Sequence, residues 1–307
     1  MFKNALVFRF GPAWTPDLAL LEGMLQTKTF EACGPTQLRS VGWIPPRGQD
    51  NGALVESVGG QWMLKMMQET KSVPSSVVGR LVDERCEQIT VATGRKPGKK
   101  ERKELKENAV LELLPHAFPA RSAIQLWIDP EARLLMIDAS SLAKADGVLT
   151  FLAASMEAPG LSFVQTTWSP VAAMSEWLLS QEPPAGFSID RECELKANDD
   201  SKALVRYAKH PLDIAEVQQH IRHGKVPTKL AMTWEGRVSF VLTDKAQITK
   251  LAFLEGVYEG AGSESKDDRF DADVAIATGE FKKMIPAILE ALGGEMAPIK
   301  AQGEEHV

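Results

Sequence analysis

The segment TGRKPGKKERKELKENAV, residues 93–110, places seven cations within twelve positions: Arg95, Lys96, Lys99, Lys100, Arg102, Lys103 and Lys106. Ammonium and guanidinium groups at this density suit contact with a polyanion such as a nucleic-acid backbone, where released counterions drive binding. The 307-residue chain carries 35 basic and 41 acidic side chains, a formal net charge of -6. Residues 95–107 hold seven positive and three negative charges, so the rest of the chain sums to -10. The charge is segregated, and a binder needs one basic face rather than a basic total.

At about 100° per residue, Lys99, Arg102, Lys103 and Lys106 share one arc of a helix, with Glu101, Glu104 and Glu107 on the adjoining flank. Lys99–Lys103 and Arg102–Lys106 are like-charge pairs four residues apart, each costing a few tenths of a kcal/mol in an isolated helix. A helix shaped for solubility alone would interleave the signs better; a solvated face is the alternative reading of the run. No aromatic residue interleaves these cations, so base stacking is not expected. No zinc-finger, homeodomain or RNP pattern occurs. Any DNA contact is therefore expected at phosphates, without sequence preference.

A looser basic group comprises Arg206, Lys209, His210, His220, Arg222, His223, Lys225 and Lys229. RYAKHPLD reads as a loop at a strand end. HIRHGKVPTK ends a helix, where cations complement the dipole without any ligand. Lys209, Arg222, Lys225 and Lys229 are the candidate DNA contacts here.

Carboxylates offer the competing chemistry. KDDRFDAD supplies Asp267, Asp268, Asp271 and Asp273, and Asp129 and Asp138 flank a hairpin pattern. Such clusters can hold Mg²⁺ for a nuclease. The spacing lacks the glycine and terminal glutamate of an EF-hand, and Asp271 and Asp273 fall where a strand start would face solvent. No GxSxG nucleophile is present. ATGRKPGKK lacks the GK[ST] ending of a phosphate loop and joins two helices. No catalytic residue, metal or cofactor is expected. An Mg²⁺-dependent nuclease using Asp267–Asp273, and a protein-interaction module without direct DNA contact, stand as the alternatives.

The elements that must position these groups follow from the pattern. Hydrophobic residues make up 44% of the chain and charged ones 25%, a globular balance. Cys33, Cys86 and Cys193 have no ligand spacing, and free thiols in a reducing cytosol are expected. No signal peptide is read at the N-terminus, and the uncharged stretch 158–175 holds prolines and hydroxyls unsuited to a bilayer. Ala5–Phe10 predicts a strand, Pro16–Lys28 a helix, and 33–52 turns, with Pro45 and Pro46 excluding a helix. Trp62–Met67 predicts a strand.

Val77, Val78, Leu81, Val82, Arg85 and Ile89 then recur at helical spacing, Gly94, Pro97 and Gly98 interrupt, and a second helix runs from Lys99 to Leu114. The two make an antiparallel hairpin with helices roughly 27 and 22 Å long. AIQLWIDPEARLLMIDA and KLAMTWEGRVSFVLTD each predict strand, turn and strand, the first followed by a helix from Ser141 to Met156. Asp213–His223 predicts a helix, Ala272–Thr278 a strand, and Gly279–Leu292 a helix kinked at Pro286 and ended by Gly293–Gly294. The tail after Glu295 is expected to lack structure. The fold class is α+β, with a central lobe (1–73 plus 119–165), a projecting helical hairpin (74–118) and a base lobe (166–307).

VGWIPPRG, LLPHAF, LWID, GFSIDRECELK, HGKVPTKLAMTW, RFDADVAIATGE and LEALGGE occur in this order and span almost the whole chain. Together they resemble the bacterial RdgC family of recombination-associated proteins. The resemblance implies a nucleoid-associated, cytoplasmic protein that binds DNA without catalysis. It implies a ring-shaped homodimer whose basic hole encircles double-stranded DNA, with single strands a further candidate ligand, and which restrains the recombinase RecA. A phenylalanine after the LLP element is a dimer contact in that family, and Phe118 occupies its place. His116 stands where arginine is frequent, so that contact is expected to be weaker or pH-dependent. Lys209 matches a candidate DNA-contacting lysine. The closing contact is expected at the arm tips, near Phe118.

Overall fold

Apolar residues alternate in the central strands and recur at three and four in the helices, and both periods are visible in the computed structural model. The structure describes residues 2–156, 160–258 and 266–296. In chain order the elements are β1 (Leu6–Arg9), α1 (Leu18–Gln26), β2 (Arg39–Ile44), β3 (Val55–Val58), β4 (Gln61–Lys71), α2 (Ser75–Thr93) and α3 (Lys99–Leu113). A 3-10 turn at Leu114–His116 leads to β5 (Pro119–Asp129), β6 (Leu134–Ile137), α4 (Leu142–Ser155), β7 (Ser162–Phe163) and α5 (Pro170–Ser180). Then come β8 (Phe187–Ala197), β9 (Leu204–Ala208), α6 (Ala215–Arg222), β10 (Lys225–Trp234), β11 (Val238–Thr243), β12 (Ile248–Phe253) and α7 (Lys266–Ala291). The fold is α+β, with two antiparallel sheets.

The first sheet runs β2-β4-β5-β6-β1-β7, with β3 also on β4, and the second runs β12-β11-β10-β8-β9. One face of the first sheet, including Leu6, Leu64, Leu126 and Leu135, is covered by Leu21 and Leu25 of α1 and by Val148 and Leu152 of α4. Its other face sends Met63, Trp127 and Met136 into a core shared with Leu230, Met232 and Phe240 of the second sheet. Helix α7 fills the junction. Phe281 is fully buried, with ring centroids of Phe2, Trp127 and Phe253 each 5.6 Å away. Burying a side chain of this size contributes about 1.5–3 kcal/mol. Polar ties flank it: Arg237 donates to Glu280 from Nε at 3.0 Å, and Lys282 lies 3.3 Å from Glu131.

Several expectations change. Ala272–Thr278 is not a strand. Val274, Ala277, Phe281, Met284, Ile285 and Ile288 are buried at helical spacing, and one helix takes in the whole of 266–291, running through Pro286. The short alternation in DADVAIAT fitted either period, and the long apolar stripe decided it. Asp271 and Asp273 therefore sit on a helix.

Residues 33–52 are not all turn, because Arg39–Ile44 form β2, which stops before Pro45. Gly42 is required there: a Cβ would lie 2.2 Å from the Phe30 Cα, since 28–30 run beside β2, with the Trp43 N–H donating to the Lys28 carbonyl at 2.9 Å. Strands β3, β8, β9 and β12 and helix α5 carry patterns too short or too mixed to have been read. Of the tail expected after Glu295, Met296 is tied by its N–H to the Gln165 carbonyl, and 297–307 lie outside the described residues. No helix among the described residues is long and apolar enough to cross a membrane.

Candidate nucleic-acid interface

Lys71 of β4 faces Pro119 of β5 across the sheet, so residues 72–118 are inserted between two paired strand ends. Within the insertion α2 and α3 pack through Val78, Val82 and Ala109, with Leu81, Leu105 and Val110 around them. Gly94, at φ 71°, ends α2 in the left-handed conformation that glycine adopts without strain, and its N–H donates to the Thr90 carbonyl. This small cluster stands apart from the two sheet cores.

All seven cations of the 93–110 segment are exposed. They divide into two kinds. Arg95 pairs with Glu101 at 2.9 Å, Arg102 with Asp83 at 2.5 Å, and Lys103 lies 3.8 Å from Glu107. Lys96, Lys99, Lys100 and Lys106 have no ionic partner among the described residues. Three of these four gather where α2 turns into α3. There Gly98 is the N-cap of α3, and no side chain caps it.

Lys99 and Lys100 thus occupy the first turn of a helix, where the dipole disfavours cations by about 0.3–1 kcal/mol each. An anion placed there would meet free backbone N–H groups and the lysines together. The uncapped helix start is a feature that the charge count alone did not reveal; its signal was Gly98 standing where a Ser, Thr, Asp or Asn cap would be usual.

The second basic group is brought together only in part. Lys229 Nζ lies 3.1 Å from the buried Glu194 carboxylate, which also accepts from Arg206 and, at 2.8 Å, from the Thr228 hydroxyl. Desolvation alone would raise the Glu194 carboxyl, but these three hydrogen bonds outweigh it and lower the pKa to about 2. Lys225 Nζ lies 3.2 Å from His220 Nδ1, and His220 Nε2 lies 3.7 Å from Glu216. Tyr207 connects the loop to the helix, its ring 5.9 Å from His210 and 6.5 Å from His220. Burial and the Glu216 carboxylate push its hydroxyl up to about 12. Lys209, at φ 57°, and Arg222 are exposed and unpaired among the described residues.

Phe118 is 93% exposed, the most exposed large apolar side chain among the described residues, and His116 is exposed beside it. Its location corrects the expected one. Phe118 directly precedes β5 and lies at the sheet end of the insertion, whereas 94–98 form the opposite end. The root that carries Phe118 is braced: the buried Glu69 carboxylate accepts from Arg121 Nε at 2.6 Å and from the Cys33 N–H at 2.7 Å. The Arg121 guanidinium lies over the Phe30 ring at 5.6 Å and holds the Glu69 carboxyl below its usual range.

Four of the six carboxylates weighed for metal binding are engaged in structural contacts. Asp271 accepts from Arg47 at 2.5 Å and Asp267 from Gln49 at 2.9 Å, clasping α7 to the loop after β2. Asp129 caps a turn through the Glu131 and Ala132 N–H groups, and Asp138 accepts from the Asn4 N–H at 2.9 Å. Among the described residues no group of three or more histidine, cysteine or acidic side chains is placed to hold a metal ion.

A family model described as "Putative exonuclease, RdgC" matches residues 1–295. The chain belongs to the RdgC family. A recombination-associated protein RdgC from Dechloromonas aromatica is 43% identical over 304 residues, covering 97% of this chain and 99% of that protein. Its counterpart from Cupriavidus pinatubonensis is 43% identical over 296 residues, with 96% and 98% covered, and that from Herminiimonas arsenicoxydans is 40% identical over 298, with 96% and 99% covered. The segments that carried the RdgC resemblance are mostly scaffold: VGWIPPRG holds β2 and Gly42, GFSIDRECELK is β8, HGKVPTKLAMTW is β10, and RFDADVAIATGE lies in α7.

Proposed function

We propose that this RdgC-family protein binds duplex DNA through its phosphates without reading sequence. In this proposal it acts in the nucleoid as a ring-shaped homodimer around the duplex and restrains RecA-dependent recombination without catalysis. One observation carries the DNA contact: in a chain of net charge -6, Lys96, Lys99 and Lys100 collect, unpaired among the described residues, at an uncapped helix start. The electrostatics favour a polyphosphate there and oppose an empty site. The α2–α3 pair serves as a projecting hairpin arm that carries this cationic end away from both sheets. Lys209, Arg222 and Lys225 form a second, weaker contact, and Lys229 contributes only what Glu194 leaves uncompensated. The relatives' printed names associate them with recombination, which fits such a role.

Closure of the ring rests on Phe118. A solvent-facing aromatic on a braced strand end is the usual form of an interface anchor. Two contacts related by one two-fold axis close a ring, with Phe118 and His116 at one of them. A ring makes topology measurable. Covalently closed circular duplex is expected to stay bound through a high-salt challenge that strips linear duplex of the same length. Equal loss of both forms would refute encirclement, and failure to retain either at low salt would refute DNA binding. Shortening of linear duplex with Mg²⁺ present, lost on Asp271→Asn, would establish the nuclease alternative. Phe118→Ala is expected to weaken self-association at least tenfold by sedimentation, as loss of an aromatic anchor does; an unchanged constant would remove it from the interface.

A further inference from the structure

Two histidines of the second basic group sit in opposite hydrogen-bonding situations. His210 Nδ1 lies 2.8 Å from the Pro211 carbonyl, which can only accept, so that nitrogen carries a proton and donates. His220 Nδ1 lies 3.2 Å from the Lys225 ammonium, which can only donate, so that nitrogen is bare and the ring is neutral. The ring proton of His220 sits on Nε2, 3.7 Å from the Glu216 carboxylate. A second proton on His210 leaves its contact whole. A second proton on His220 goes to Nδ1 and sets two cations against each other.

The other groups around His220 hold their own charge states or partners. Helix α6 packs against β10 and α5. On β10, Lys229 turns to Glu194, and the single titratable side chain of α5, Glu176, is exposed. On β9, the Tyr207 ring lies 6.5 Å from that of His220, and burial with the Glu216 carboxylate pushes its hydroxyl up to about 12. Burial likewise pushes the Cys193 thiol of β8 up to about 12, so both stay neutral. Lys209, Arg222 and His223 are exposed, whereas Lys225 is half-buried. The His220 side chain is 25% exposed, within reach of solvent protons.

We propose that His220 is a pH switch on Lys225. The inference rests on the reading of Lys209, Arg222 and Lys225 as a second phosphate contact, and adds a control to it. With the ring neutral, Lys225 is held against α6 and offers a phosphate little. With the ring protonated, the imidazolium pairs with Glu216 four residues earlier on the same helix, and Lys225 is released to join Lys209 and Arg222 as a free cation. One bound proton thus adds one lysine to the phosphate-facing set. Imidazole changes charge between about pH 5 and pH 8, so duplex affinity rises as pH falls through that range.

The test is the salt dependence of duplex affinity, by fluorescence anisotropy on the full chain at pH 7.5 and pH 5.5, for wild type, His220→Gln and Lys225→Gln. The glutamine oxygen at 220 still accepts from Lys225 but takes no proton in this range. On acidification the wild-type slope is expected to steepen by about 0.9 more than that of either variant, the worth of one phosphate contact. Equal steepening in all three would pass the effect to His116, His210 or His223 and overturn the switch. Full steepening kept in Lys225→Gln alone would overturn it too, and that variant keeps the test decisive if His220→Gln fails to fold. Should no duplex bind at either pH, the phosphate contact falls by itself, and the switch is read without DNA. The Lys225 ¹³Cε resonance is expected to follow the His220 ring through one pH transition in wild type and to stay flat in His220→Gln; independent movement of the two would overturn the proposal.

Discussion

On the second sheet, Arg206 and Lys229 converge on the buried carboxylate of Glu194, whereas at the turn between α2 and α3 Lys96, Lys99 and Lys100 face no acidic partner among the described residues. Both regions are dense in cations, and both stood out in the sequence. The first uses its cations to keep a buried charge neutralised and hydrogen-bonded, as burial demands. The second leaves its cations in water, next to a helix dipole of the wrong sign for them. Charge density alone does not distinguish a brace from a binding surface; the partner of each charge does.

The comparison is easiest to break through stability. Glu194→Gln should lower unfolding free energy by about 2–3 kcal/mol, because Arg206 and Lys229 lose their shared counter-charge and the amide nitrogen cannot accept from them, while the remaining amide oxygen still accepts from Thr228. The triple change Lys96→Gln, Lys99→Gln, Lys100→Gln should stay within about 0.5 kcal/mol of wild type, as exposed substitutions do. Urea unfolding of both proteins checks this, and equal losses would erase the distinction.

The pH dependence sharpens it further. The Glu194 carboxyl is depressed to about 2 in the folded protein, against an ordinary value of 4.5. Its contribution is therefore fully present above about 4.5 and is lost as pH falls through that window towards 2. Between pH 5 and pH 3, wild type should lose more stability than Glu194→Gln; parallel losses would assign acid sensitivity elsewhere.

The smallest effect separates cations within the α2–α3 pair. Arg102→Gln should weaken duplex binding less than Lys99→Gln, each within a few-fold, because Arg102 already answers Asp83 and an exposed pair contributes about 0.2–1 kcal/mol. A larger loss at Arg102 would mean that its pair opens to meet the phosphate.

Much of this was legible in the sequence. The two helices of the insertion, the two Trp-bearing hairpins and helices α1, α4 and α6 followed from periodicity and punctuation, because each repeats its pattern for at least two turns or one full hairpin. Strand β8 was hidden because Arg191 breaks the alternation of Phe187, Ile189, Cys193 and Leu195, and because the counter-charges of Glu192 and Glu194 lie on β9, β10 and β12, distant in sequence. The first half of α7 misled because DADVAIAT alternates briefly before its helical stripe declares itself. The exposed cations of α3 and the turn before it were legible as a run, but the split between paired and unpaired members needed Asp83 of the neighbouring helix. Phe118 was singled out but misplaced at the distal end, since nothing in LLPHAF says that β4 and β5 meet beside it.

The most direct test of the cationic-end account is the salt dependence of duplex affinity, plotted as log K against log salt for wild type and for the quadruple variant Lys96→Gln, Lys99→Gln, Lys100→Gln, Lys106→Gln. The account predicts a steep negative slope for wild type and a slope shallower by about 0.9 for each phosphate contact removed, equally for duplexes of unrelated sequence. Parallel lines for the two proteins, or a loss confined to one sequence, would contradict it.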